Sequence, residues 1–127
     1  YLMGVKDETN ISNLISAIES IAGLGSVKIK NKDNTLVTDG LIGTGYKVEI
    51  TTQNDSQTLV VIINGDTSGD GLINALDLLQ IQKSILGTFT LSDVYKLAGD
   101  TSDDGEINAL DLLQIQKHIL GTYKIEQ

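Results

Sequence analysis

The 127-residue chain has no cysteine, no proline and no tryptophan, and only one histidine, one methionine and five aromatic residues. Without cysteine no disulfide can hold the fold, so units this small need another staple, such as a metal. Absent disulfides say nothing against secretion when such a staple exists. So few aromatics make any core aliphatic. They also disfavour a carbohydrate-binding surface in the first half, where only Tyr1 and Tyr46 lie. With a single His and no Cys, sites for softer metals lack their ligands. No Ser/His/Asp or Cys/His set is present, nor a Gly-rich loop with a Lys between strand and helix, which makes an enzyme the least supported class. One methionine does not furnish the Met-rich groove of a calcium sensor. No apolar run approaches a membrane span. Residue 1 begins no secretory signal, and a chain without an initiator Met is expected to be a piece of a longer one.

A basic patch is lacking too. Net charge is −8; residues 1–63 hold 7 acids and 5 bases, residues 64–127 hold 10 acids and 4 bases. That balance disfavours nucleic acid and anionic membranes. Acids packed this densely repel one another unless a cation sits among them.

The first half reads as a small α+β unit, residues 1–63, with one helix and a small, mostly antiparallel sheet. "TNISNLISAIESIAGLG" offers a cap at Thr9 or Asn10, apolar residues at Ile11, Leu14, Ile15, Ile18 and Ile21, and a stop at Gly23. "SVKIK" and "YKVEITT" alternate as half-buried strands do. "NKDNT" and "TDG" are turn material, and Asp33, Asp39 and Asp55 belong to turns. "QTLVVII", from Gln57 to Ile63, suits a central strand. The second half, residues 64–127, follows with no Pro- or Ser-rich linker, so the halves are expected to keep a nearly fixed relation.

That second half contains one segment twice. Gly65–Gly87 and Gly99–Gly121 match at 20 of 23 positions, with an offset of 34 residues. Within each copy lies a twelve-residue loop of the EF-hand type, with oxygen ligands at positions one, three, five, seven, nine and twelve and Gly at six. In the first loop these are Asp66, Ser68, Asp70, the Leu72 carbonyl, Asn74 and Asp77, with Gly71 at six. In the second they are Asp100, Ser102, Asp104, the Glu106 carbonyl, Asn108 and Asp111, with Gly105 at six. Hard, anionic oxygens suit Ca2+, one ion per loop. Ile73 and Ile107, at position eight, can anchor each loop to a core. Position twelve is Asp rather than Glu, which draws the helix towards the ion, and position three is a neutral Ser that can act through water. "TLVVII" before Asp66 is strand-like, so no helix enters the first loop, and each copy is half an EF-hand. Because the carboxylates repel without metal, chelation is expected to unfold this half and remove partner binding.

These duplicated "GDTSxDGxINALDLLQIQK" segments, their spacing, and the short helix between them in "LSDVYKLAG" resemble a dockerin, the calcium-binding module that plugs a protein into a cohesin of a scaffold. The resemblance covers residues 64–127. It implies an all-α fold of three helices with two calcium loops, an extracellular or cell-surface assembly such as a cellulosome, and a parent protein concerned with polysaccharide degradation. Ser68 and Ser102 depart from the Asn or Asp usual at position three. The first half, with "DGLIGTG", "YKVEI" and "TLVVIINGD", is similar to the X-type modules that precede some dockerins in Firmicutes.

On a helix, Leu78, Ile81 and Ile85 form one stripe, the expected core. Ala75, Leu76, Leu79, Gln82, Lys83 and Leu86 form a second, repeated as Ala109, Leu110, Leu113, Gln116, Lys117 and Leu120. A module this small cannot bury both stripes, and an apolar stripe rimmed by Gln and Lys fits a partner surface. The resemblance implies cohesin contact through Ala75, Leu76, Gln82 and Lys83, and through Ala109, Leu110, Gln116 and Lys117. The exposed faces are repeated as faithfully as the interior, which fits a module that docks in two orientations related by a half turn; a recent duplication is the alternative. The mismatches Gly69/Asp103, Leu72/Glu106 and Ser84/His118 fall outside the stripe. His118 is expected to be exposed near a helix C-terminus, where positive charge is favourable. Phe89 and Tyr123, equivalent after each helix, either cover the ends of the core or clasp the termini. No small-molecule substrate is expected, and the unbound chain is expected to be monomeric. The competing reading is an EF-hand-type calcium domain, regulatory or structural, without a cohesin partner.

Overall fold

The computed structural model describes residues 1–20, 26–52, 55–91 and 93–127. The elements run α1 (Ile11–Glu19), β1 (Ser26–Lys30), β2 (Leu36–Val37), β3 (Lys47–Thr51), β4 (Ser56–Val60), α2 (Ala75–Ile85), α3 (Asp93–Gly99) and α4 (Ala109–Leu120). Asn10, not Thr9, caps α1, its side chain accepting from the Ser12 N–H at 2.9 Å. The stop expected at Gly23 lies outside the described residues, as does Ile21.

The sheet has the order β2-β1-β3-β4 and is antiparallel throughout. Val27 and Ile29 of β1 point inward with Val48 and join Ile11, Val5 and Ile42 in the first core, on which Leu14, Ile15 and Ile18 of α1 pack. Lys28, between Val27 and Ile29, is exposed, as the alternation in sequence requires.

The run expected as a central strand is instead an edge. Only Ser56–Val60 pairs along the sheet, and β3 is its one strand neighbour among the described residues. Beyond it the chain runs between the two halves. Val61 and Ile63 belong to the first core. Ile62 packs the opposite way, on Val94 and Ala98 of α3. The continuous hydrophobicity therefore records burial on two sides by two different structures, not burial in mid-sheet. Leu2 bridges beside this segment, donating to the Val60 carbonyl at 2.8 Å and accepting from the Ile62 N–H at 2.9 Å.

In the second half α2 and α4 pack together through Ile81 and Ile115, with Leu91 and Ile125 completing the cluster and Ile73 and Ile107 against it. Of the expected stripe, Ile81 is buried in this cluster and Leu78 packs against it, but Ile85 does not belong to it. Ile85 is 41% exposed and its counterpart Ile119 40%. The inward side instead follows positions 77, 81 and 84 on α2, and 111, 115 and 118 on α4, an i, i+4, i+7 row. That row places His118 inside, correcting its expected exposure: its Nδ1 accepts from the Ile125 N–H at 3.0 Å, and its Nε2 lies 3.6 Å from Asp7 Oδ2. Phe89 and Tyr123 are 38% and 42% exposed, so neither seals the core. The tail does so itself: Ile125 is buried, and the Gln127 side chain bonds both the N–H and the carbonyl of Asn64, at 2.7 and 2.8 Å.

Because Ile62 is the fully buried residue through which the end of β4, with Val60, meets α3, Ile62→Ala should lower stability by about 2–5 kcal/mol. In thermal unfolding followed by circular dichroism it should shift the transition of the whole chain; an unchanged melting curve would show that the link carries no stability.

Candidate functional site

Each acidic loop is organised by its first and last carboxylates. Asp66 Oδ1 accepts from the N–H groups of Gly69 and Asp70, at 3.0 and 3.2 Å, and Oδ2 from Gly71 at 3.0 Å. Asp77 Oδ1 accepts from the Ser68 N–H at 2.9 Å, and Oδ2 from the Asn74 N–H at 2.8 Å. The second loop repeats this. Asp100 accepts from Asp104 and Gly105, at 3.2 and 2.8 Å, and Asp111 from Ser102 and Asn108, at 3.0 and 2.8 Å. Gly71 and Gly105, with φ of 83° and 86°, make the turn at position six.

The loops also start the helices. Asn74 and Asn108 are the N-caps of α2 and α4, and Asp77 and Asp111 close capping boxes with them. This use of the Asn residues bears on position nine. The Asn74 Oδ1 accepts from the Leu76 N–H at 3.1 Å, while its amide Nδ2 turns to Asp70 at 3.4 Å; Asn108 does the same towards Leu110 and Asp104, at 3.1 and 2.8 Å. With that oxygen committed to the cap, position nine would reach an ion through water, a common arrangement there. A pair that local periodicity does not single out also recurs: Thr67 donates to Gln80 Oε1 at 2.7 Å and Thr101 to Gln114 Oε1 at 2.6 Å, tying each loop to its helix. The signal was visible as the same pair at the same spacing in both copies.

The carboxylates converge. Oxygens of Asp66, Asp70 and Asp77 lie within 4.8 Å of one another, as do those of Asp100, Asp104 and Asp111. An all-oxygen, trianionic set suits a hard divalent cation. Burial pushes Asp66 up from 3.8 to about 7; Asp77 and Asp70 add to the shift, while the N–H groups of Thr44 and Gly71 oppose it. Burial likewise raises Asp77 against its backbone hydrogen bonds. At Asp70 desolvation is outweighed by donors led by the Leu72 N–H, and its carboxyl falls below the usual range. Asp104 falls too, through the Asn108 amide and the Glu106 N–H.

Among the described residues, the first loop alone is walled by the first half of the chain. Thr44 donates its N–H to Asp66 Oδ2 at 3.0 Å, Lys32 Nζ donates to the Ser68 carbonyl at 2.7 Å, and Glu8 donates its N–H to the Gly71 carbonyl at 2.7 Å. Asp66 is consequently fully buried, whereas Asp103, Asp104, Gly105 and Glu106 are exposed. No local sequence pattern marks Lys32 or Thr44, because each reaches the loop across more than twenty residues of chain.

The expected contact residues begin at the last positions of each loop, Ala75 and Leu76 and their counterparts Ala109 and Leu110, and continue along the outer faces of α2 and α4. Ala75, Gln82 and Lys83 are exposed, as are Ala109, Gln116 and Lys117. The leucines are exposed in matched pairs: Leu76 and Leu110 at 48% each, Leu79 and Leu113 at 44% and 45%, Leu86 and Leu120 at 71% and 69%.

Residues 64–120 match the family model of the dockerin type I domain. At the level of that family, the domain is a calcium-dependent, non-catalytic module that docks on cohesin. The dockerin match spans both loops and all of α2, α3 and α4. No curated protein matches the chain. No helix among the described residues is long and apolar enough to cross a membrane.

The raised carboxyls set a pH dependence. A carboxyl raised by folding stabilises the metal-free protein below its unfolded value and loses that contribution as pH rises through the folded value. Asp66 therefore destabilises the metal-free chain progressively between pH 3.8 and about 7, with Asp77 acting in the same direction and Asp70 in the opposite one. A cation competes with the proton on Asp66, so calcium binding below pH 7 should release protons and tighten with pH. Calorimetric titration in buffers of different ionisation enthalpy measures the release; none at pH 6 would contradict the burial of Asp66.

Proposed function

We propose that this chain is a calcium-dependent docking module that attaches its parent protein to a cohesin of an extracellular scaffold. Two Ca2+ ions are held, one by Asp66, Ser68, Asp70, the Leu72 carbonyl, Asn74 and Asp77, the other by Asp100, Ser102, Asp104, the Glu106 carbonyl, Asn108 and Asp111, with the Asn residues acting through water. The ions neutralise the clustered carboxylates and so fix the starts of α2 and α4. Those helices present the surfaces built on Ala75, Leu76, Leu79, Gln82, Lys83 and Leu86, and on their counterparts from Ala109 to Leu120. Either surface docks on the same partner, in orientations related by a half turn. Residues 1–63 form an X-type companion to the dockerin of residues 64–127, and the parent protein belongs to a cellulosome or a related secreted assembly acting on polysaccharide. The chain contributes no catalysis of its own.

The matched exposure of the leucine pairs supports this reading most strongly. Solvent places no premium on keeping two apolar surfaces alike, whereas one receptor accepting both does. A calcium domain without a cohesin partner would leave these leucines in water for no return.

Binding to a panel of cohesin modules, in calcium and in chelator, tests the proposal. Leu76→Glu with Lys83→Glu should cost about twofold in affinity, the statistical share of one of two equal orientations. Adding Leu110→Glu and Lys117→Glu should reduce binding by more than about a thousandfold, and chelator should weaken binding of the unaltered chain. Loss of binding from the first pair alone would rule out two orientations; binding to no cohesin in calcium would favour the partnerless calcium domain.

A further inference from the structure

The two loops are near-identical in sequence but not in surroundings. Three donors reach the first loop from outside it: Lys32 Nζ to Ser68, the Thr44 N–H to Asp66, and the Glu8 N–H to Gly71. Contact is close enough to exclude side chains. A Cβ on Gly43 would overlap the Gly69 carbonyl; one on Gly69 would stand 2.5 Å from the Thr44 carbonyl oxygen, and one on Gly71 2.5 Å from that of Ile42. In the second loop a Cβ on Gly105 would meet nothing within 4 Å. The repeat differences follow this asymmetry. Position four is Gly69 where the first half presses on it and Asp103 where nothing does, although both adopt positive φ, 76° and 60°. His118, which replaces Ser84, faces Asp7 of the first half and the tail. The structure gives no reason for the third difference, Leu72 against Glu106.

We propose that residues 1–63 act as a brace that keeps the first loop in its ion-binding shape when no metal is present, whereas the second loop acquires its shape from the metal. The inference rests on the calcium reading above and makes the two sites unequal. An isolated acidic loop must be ordered and its carboxylates brought together as the ion binds. In the first loop the ordering is done in advance by backbone contacts, and the Thr44 N–H orients a carboxylate from behind, as outer donors do at metal sites. Lys32 adds a positive charge at the rim, which offsets the mutual repulsion of the acids before an ion arrives. Lys32 is exposed, and solvent screening weakens its effect on acids and ion alike, so preorganisation decides and the first site fills first. Metal removal then loosens the second loop and the start of α4, not the whole of residues 64–127.

Amide hydrogen exchange on the full chain, followed by nuclear magnetic resonance in chelator and at stepwise calcium concentrations, tests the brace. In chelator the amides of Gly69, Asp70 and Gly71 should exchange at least about tenfold more slowly than those of Asp103, Asp104 and Gly105, and calcium should slow the second set. Gly43→Ala, which forces the halves apart, should erase the difference and weaken the first site about tenfold while leaving the second within about twofold. Lys32→Met should speed exchange at the first loop in chelator only, and Lys32→Arg should restore it; these variants decide the matter if Gly43→Ala does not fold. Equal exchange in both loops in chelator, with calcium slowing both, would overturn the brace and leave the calcium reading standing. No response of either loop to calcium would overturn the calcium reading itself.

Discussion

One aspartate in each copy joins the acidic loop to its helix. Asp77 and Asp111 accept from the backbone at the loop's beginning, at Ser68 and Ser102, and from the N-cap at its end, at Asn74 and Asn108. Each is also the third residue of its helix and contributes an oxygen to the carboxylate cluster. A charge change at that oxygen is therefore felt directly by the first turn of α2 or α4. Aspartate at position twelve, a departure from the sensor type of loop, serves this purpose: it completes a capping box while still meeting the other acids. An ion held by these carboxylates would thus act directly on the placement of the helix start.

The structure is symmetric where a partner would look and asymmetric where the chain packs on itself. The outer leucines of α2 and α4 match pair by pair in exposure. Inside, the first loop is buried against the sheet module while the second faces water, and the tail closes on one side only, through Ile125 and Gln127. Two of the three sequence differences between the copies, at Gly69/Asp103 and Ser84/His118, sit on this asymmetric interior. The repeats have thus diverged where neighbours differ and stayed alike where the outer surface is shared.

What could be read directly from sequence was whatever depends on neighbours a few residues away. The strands β1 and β3, the helix α1, the glycines at position six and the exposed leucine stripes all follow from local period and turn chemistry. The errors share one cause, long-range packing. Val61–Ile63 read as mid-sheet because burial by a sheet and burial between two halves leave the same apolar run. The local pattern puts Ile85 inside because a three-seven spacing and a four-seven spacing on one helix differ by a single position, and only the crossing of α2 with α4 selects between them. His118 read as exposed because neither Asp7 nor the returning tail is adjacent to it in sequence. Lys32 and Thr44, which wall the first loop, carry no local pattern at all.

The central claim is that each acidic loop holds a calcium ion and that the fold presents its two outer helix faces on that basis. Counting bound calcium on the intact chain by native mass spectrometry tests it most directly. The account requires two ions per chain, falling to one when Asp111→Asn removes a carboxylate from the second cluster while the first, with Asp66, Asp70 and Asp77, stays intact. A chain that binds no calcium, or that keeps both ions after that substitution, would contradict it.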